Sequence, residues 1–280
     1  MKKKLPTIIL TVIFFIGLSL LLYPSISDYW NSFHQSQAIM EYDEIVSNMH
    51  EDEYKKLWKQ AQDYNEILYG KYNRFKLTDE DHKMYNKCFN IGGYGIMGYL
   101  EVPVIDTTLP IYHTTNDNVL QIGVGHIEGT SLPTGGMSTH CVLSGHRGLV
   151  SARLLTDLDR VQENDIFFIH ILDKTLTYQV DQIRIVEPRE ISDIEIVDGC
   201  DYCTLVTCTP YGINTHRLLV RGRRISNRDY SDELKLSAEA QQIDPLYVAP
   251  FVAVPIVVGL FIYVLVKQRR QKQRGSKYEK

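Results

Sequence analysis

The sequence predicts a mainly β protein: a closed or nearly closed barrel of seven or eight short strands, preceded by helices and set between two membrane segments. Three observations carry this expectation. Beyond Gly98 the chain breaks into short β-branched, aromatic or alternating runs punctuated by Gly, Pro, Asn and Asp, the pattern of strands joined by turns. Residues 28–69 contain neither Gly nor Pro and read as helix. Two uncharged apolar runs, 5–27 and 246–266, carry basic flanks.

The first run follows Lys2, Lys3 and Lys4; the second is followed by Lys267, Arg269, Arg270, Lys272 and Arg274. About 20 apolar residues cross a bilayer as a helix, and basic flanks stay on the cytoplasmic side. Residues 1–27 are therefore expected to be a signal anchor or signal peptide, 246–266 a transmembrane helix and 267–280 a basic cytoplasmic tail. No Ala-x-Ala site follows the first run, although Ser25 and Ser27 are small enough to serve; the uncleaved anchor is the preferred reading. Pro250 and Pro255 suit a membrane helix better than a soluble one. The expected localisation is the cell membrane, with the central region outside and both termini inside if the first segment is retained.

Residues 28–90 form the expected helical region. Ser27 suits an N-cap, a break near 48–52 makes two helices, and Gly70 stops the second. The strand-forming runs are GYLEVPVI, TLPIYH, HCVLSGH, DIFFIHIL, TLTYQVDQIRIVE, CTLVTC and RLLVRGRRI, with SARLLTDLDRV (151–161) as the one helical insert. Short strands without long intervening helices favour antiparallel pairing and closure. Residues 226–245 are polar and read as a helical or flexible tether.

The chain holds 30 Lys and Arg against 34 Asp and Glu. Between the two basic flanks lie 20 basic and 33 acidic residues, a formal charge of −13. This argues against nucleic acid as a partner and against flat adsorption on anionic lipid. Five cysteines, at 88, 141, 200, 203 and 208, leave at least one thiol unpaired. CDYC at 200–203 has redox spacing but leads into a strand rather than a helix start, so a local disulfide or two free thiols is expected. Cys88 and Cys141 show no metal-site spacing, and no cofactor or metal is expected.

TLVTCTPYGINTHR (204–217) concentrates the chemistry. If Thr204 to Cys208 is a strand and Arg217 opens the next, Pro210, Gly212 and Asn214 turn the chain antiparallel. Neighbouring strands lie about 5 Å apart, so Cys208 and Arg217 become neighbours. A guanidinium beside a sulfur favours thiolate and can hold the oxyanion that forms when the thiolate attacks a carbonyl. A thiol nucleophile also needs a proton partner, usually His. His216 alternates to the face opposite Arg217 and reads as a packed or capping residue. His146 sits in a Gly-His-Arg-Gly loop at a strand end, but the residues alone leave His126 and His140 as alternatives.

GYLEVPVI, LPIYH, GVGHIEGTSLPTGG, VLSGHRGL, LLTDLD, YQVDQI and TLVTCTPYGINTHRLLVRG, spread from about Ile91 to Arg224, resemble the sortase family of Gram-positive surface transpeptidases, and its class C, pilus-assembling branch in particular. The resemblance implies an eight-stranded sortase-type β-barrel as catalytic domain over 91–225, with His146, Cys208 and Arg217 as the catalytic residues. It implies cleavage of a Leu-Pro-x-Thr-Gly-like sorting signal between Thr and Gly, through a thioacyl intermediate. The implied partners are pilin subunits bearing a C-terminal sorting signal and an acceptor lysine, joined by isopeptide bonds. Two rivals remain open at this level. A membrane-anchored cysteine peptidase would use the same residues with water as acceptor, and a membrane scaffold would use none of them.

The branch usually carries a lid with an Asp-Pro-aromatic motif. This chain has no proline between Pro24 and Pro103, so its lid-equivalent segment YGKYNRFKLTDEDHKMYNKCFNIGG (69–93) lacks that motif. Asp79, Asp81, Phe75 and Tyr85 make a substitute plug conceivable, but without proline ordering such a segment over the site costs more entropy, and the expectation is an open Cys208.

Overall fold

The computed structural model describes residues 5–93 and 95–227, together with 255, 258–259, 261–263 and 266–267. Two compact units form: Met1–Tyr29 with Ala238–Lys280, and Trp30–Ser237. The expected tether (226–245), second membrane segment (246–266) and basic tail (267–280) fall almost wholly outside the described residues.

Helix α1 runs unbroken over Leu5–Ser47, with Pro24 inside it. The expected N-cap at Ser27 is therefore not formed. Both stretches around it are helix-forming and continue in one frame, and in an apolar segment a single proline is tolerated. Among the described residues α1 is the one helix long and apolar enough to cross a membrane. In the first unit Phe14 stacks on Phe261, ring centroids 4.0 Å apart.

In the second unit α2 (Glu51–Tyr69) follows the break expected near 48–52 and ends at Gly70. Its buried stripe of Ala61, Tyr64 and Leu68 has helical spacing. Helix α3 (Asp79–Tyr85) starts with a capping box between Thr78 and Asp81. Lys71 pairs with Asp81, and with Thr78 holds its carboxyl down to about 2. Tyr85, fully buried, pins α3 to the barrel by bonds to His126 and to the Thr114 amide.

Eight strands close the barrel: β1 (Ile96–Val102), β2 (Thr107–His113), β3 (Val124–His126), β4 (Thr139–Ser144), β5 (Ile166–Ile171), β6 (Lys174–Val186), β7 (Asp201–Thr209) and β8 (His216–Ile225). Their order around the barrel is β1-β2-β3-β4-β7-β8-β6-β5. Pairing is antiparallel except for β2 with β3 and β4 with β7, which are parallel. A purely antiparallel barrel is thus corrected: the chain leaves β4, builds the β5–β6 hairpin, and returns as β7 beside β4 in the same direction. Leu100, Ile111, Leu143, Phe167, Ile169, Tyr178, Leu205 and Val220 fill the interior.

The expected helix at 151–161 is not one. Leu154 takes a positive φ of 43°, which ends any helical run at a non-glycine residue, and only a 3-10 turn at Leu158–Arg160 follows. Leu154, Leu155 and Leu158 are all buried, so packing of the leucines overrides helix propensity here.

Candidate active site

Along β7 the side chains alternate. Cys203 and Leu205 belong to the barrel core, while Val206 belongs to a second apolar cluster with Val142, Val186, Ile194 and Leu219. Period-two alternation puts Cys208 on the face of Val206. The β7–β8 ladder pairs Val206 with Leu219 and Cys208 with Arg217. The thiol and the guanidinium therefore come from directly opposed residues on one outward face. Both residues are half-buried.

Arg221 is fixed by Asp181, and Arg224 lies 3.9 Å from Asp201. Arg217 differs: it donates to the carbonyls of Asn214 and His216 in the β7–β8 turn, at 3.3 and 3.0 Å, and has no carboxylate partner among the described residues. Its charge is held in place but not neutralised.

On the other side of β7, each β4 residue faces the β7 residue 62 positions on, from Thr139 with Asp201 to Ser144 with Val206. The connection persists past the strand: the Gly145 amide donates to the Val206 carbonyl at 3.0 Å, and the Thr207 hydroxyl donates to the Gly145 carbonyl at 2.8 Å. Arg147 in turn donates to the Thr209 hydroxyl at 3.3 Å, so the bonded pairs Gly145–Thr207 and Arg147–Thr209 bracket His146 and Cys208. Cys208 is thus flanked in sheet order by His146 and Arg217. A thiol between an imidazole and an unpaired guanidinium is equipped for nucleophilic acyl transfer.

The alternatives His126 and His140 are buried and bonded elsewhere. His126 is fully buried and bonded to Tyr85 and the Ser131 carbonyl. His140 is buried against the Glu195 carbonyl and the Thr204 hydroxyl, and burial lowers its pKa to about 4. His216 is exposed, bonded to Thr215 rather than packed. All five cysteines are free, so the CDYC pair carries no local disulfide. Cys203 points into the core, where it pairs in register with Cys141, while Cys200 stays partly exposed. No cluster of metal-ligating residues exists among the described residues.

The segment after α2 is docked on the barrel. Phe75 packs on the second apolar cluster, whose members Val206 and Leu219 lie one alternation along the same face from Cys208 and Arg217. Arg74 is 7% exposed and crosses to the β6–β7 loop, where it meets Ile194 and Glu195. Gly129 has φ +86°, and a Cβ there would meet the Arg74 carbonyl at 2.7 Å and the Phe75 ring at 2.9 Å. In place of a proline, the segment is held by a half-exposed ion pair, a bond to the Ile194 carbonyl and an apolar seat. Phe75 is one of the residues the sequence offers for a substitute plug, whereas Arg74 does not stand out, because a lone arginine in a polar segment has no motif value by itself.

Comparison with known proteins agrees with this architecture. The family model described as the sortase domain matches residues 100–225. Sortase C1 from Streptococcus agalactiae is 50% identical in structure-based alignment, with a TM-score of 0.67, covering 68% of this chain and 99% of that one. Sortase C from Clostridium perfringens, solved with the C-terminal cell wall sorting motif, is 43% identical at a TM-score of 0.60, covering 68% of this chain and 99% of that one. Sortase D from Bacillus subtilis (strain 168) is 29% identical over 132 residues, 46% of this chain. That match spans 64% of the curated relative's length.

Proposed function

Because the chain belongs to the sortase family, we propose that it is a membrane-anchored class C transpeptidase in which Cys208 is the nucleophile, His146 the general acid and base, and Arg217 the oxyanion donor. The observation that supports this reading is the register: Cys208 directly opposes Arg217, and on its other side the bonded pairs Gly145–Thr207 and Arg147–Thr209 bracket His146 and Cys208. The class C neighbours, one of them solved with a sorting motif, support the same assignment.

The reaction follows from the three groups. The Cys208 sulfur attacks the carbonyl carbon between Thr and Gly of a Leu-Pro-x-Thr-Gly-like signal, and the carbonyl electrons move onto oxygen. Arg217, with no acid partner among the described residues, donates hydrogen bonds to that oxyanion. Collapse breaks the C–N bond, and His146 gives a proton to the departing glycine amine. The thioacyl enzyme then meets a lysine amine of a second pilin. His146 takes the amine's proton, the C–N bond forms, and the Cys208 thiolate leaves. The product is an isopeptide bond. The apolar floor of Val142, Val186, Ile194, Val206 and Leu219 would seat the Leu and Pro of the signal, so Phe75 has to leave first. With basic residues flanking both apolar runs, both termini would lie inside and the barrel outside.

The test uses the full chain in detergent, mixed with a Leu-Pro-x-Thr-Gly peptide and read by mass spectrometry of its proteolytic fragments. The expected result is an acyl adduct on the fragment holding Cys208, resolved by a lysine-bearing peptide into an isopeptide product. Absence of the adduct would overturn the nucleophile assignment. An adduct released only as free acid, whatever amine is supplied, would make the protein a peptidase.

A further inference from the structure

His146 has no hydrogen-bond partner on its ring among the described residues. In acid–base pairs a third group normally orients the base, so the orientation of His146 has to come through its backbone. The neighbouring residue supplies it. Arg147 has a side chain only 10% exposed. One guanidinium nitrogen donates to the Thr209 hydroxyl at 3.3 Å, another pairs with Asp159, and the group lies 6.0 Å from the Tyr211 ring centroid. Thr209 directly follows Cys208. Behind it, Gly148 takes φ +80°, and a Cβ there would come within 3.0 Å of the Tyr211 ring, so this glycine lets the loop lie close against that ring. The His146 carbonyl accepts from the Leu155 amide at 3.2 Å.

We propose that Arg147 is a positioning residue for the transfer reaction: it ties the residue after His146 to the residue after Cys208 and so sets the distance between base and nucleophile. The inference rests on the assignment of His146 and Cys208 made above. Two features make Arg suited to it. Its planar fork satisfies two partners at once, and the partners lie on separate pieces of chain, β7 and the turn at Leu158–Arg160. A lysine or glutamine reaches one of them only.

A positioning role has a signature that a purely structural role lacks. Expelling an amine needs a proton from His146; expelling a thiolate does not. The full-length chain is therefore assayed for acylation with the amide signal peptide and with an analogue whose scissile nitrogen is replaced by sulfur. Arg147→Gln is expected to lose at least about tenfold on the amide, as general-acid catalysis is weakened, and to stay within about threefold of wild type on the thioester. His146→Ala is expected to show the same split, more strongly. Equal losses of Arg147→Gln on both substrates, or no loss on the amide, would overturn the proposal while leaving the acid–base assignment intact. An His146→Ala variant without the split would overturn that assignment and the proposal with it. If Arg147→Gln does not fold, Thr209→Val removes the hydroxyl end of the clamp at nearly constant shape. It is expected to give the same split at smaller amplitude, and equal losses would again refute it.

Discussion

The Arg74 guanidinium lies 2.8 Å from the Glu195 carboxylate and donates to the Ile194 carbonyl at 2.9 Å, joining the connection after α2 to the loop before β7. This anchor holds Phe75 on the apolar face that leads to Cys208. Glu195 is about half exposed, so its pairing energy is screened, whereas the Phe75 contact is apolar. Seating a partly buried aromatic is worth about 1–2 kcal/mol. Phe75→Ala is therefore expected to raise the rate of Cys208 alkylation by about five- to thirtyfold, and Glu195→Gln by less. Rates equal to wild type in both variants would show that the segment does not gate the thiol. Deleting residues 71–86 is a poorer test, because it removes Tyr85 and its bonds to His126 and Thr114.

Arg217→Lys keeps the charge but loses the planar two-donor fork. If the group holds the oxyanion, turnover falls on the order of 10²-fold or more. Folding should be unaffected, since Arg217 bonds only to carbonyls of its own turn. A lysine variant within a few-fold of wild type would reduce Arg217 to a bulk charge.

Seven of the eight strands are legible in sequence because each is five residues or longer with β-branched or alternating character. Strand β3 is not: Val124–His126 is three residues long among glycines and gains its place only by pairing on both sides. Parallel pairing of β4 with β7 is equally hidden, since it depends on strands some 60 residues apart. The Cys208–Arg217 pair is legible because one turn connects the two residues. Residue type and spacing alone do not separate His146 from His126 and His140; the family resemblance picks out His146, and in three dimensions the other two are seen to be enclosed and bonded.

Cys208→Ala should abolish both adduct and product while the barrel persists, since the residue is half-buried at a strand end. Cys200→Ser should leave turnover within about twofold, because surface substitutions away from a site are close to neutral. Cys203 is a different case. Its side chain is fully buried and faces the core, so Cys203→Ser forces a hydroxyl into an apolar interior and should lower stability by about 1–3 kcal/mol. Turnover of the folded fraction should be preserved, and this is read by titrating active sites before comparing rates. Loss of activity per active site would implicate Cys203 in the chemistry.

His140 should make stability depend on pH. The Glu195 carbonyl can only accept, so Nδ1 carries the proton and donates to it at 2.8 Å, and Nε2 accepts from the Thr204 hydroxyl at 2.7 Å. Burial is the first cause of the lowering to about 4; Arg221 and Arg74 lower it further, while the Glu195 bond and Asp181 oppose them. An unfolded imidazole titrates near roughly 6.5. Between these values the unfolded chain takes up a proton that the folded chain refuses. Stability from this residue is therefore complete above the unfolded value, drains as pH falls, and stops changing below about 4. The full loss is on the order of 3 kcal/mol. Asp201, whose carboxyl is raised by burial, acts in the opposite direction, but it is common to any His140 variant and cancels in a comparison. Urea unfolding of the wild type and of His140→Gln from pH 7 to 4.5 isolates the effect. Glutamine keeps a donor for the Glu195 carbonyl and does not titrate. The advantage of wild type over the variant should shrink by about 2 kcal/mol or more across that range. Two stability curves that run parallel would mean that His140 is protonated in the folded barrel as readily as in the unfolded chain.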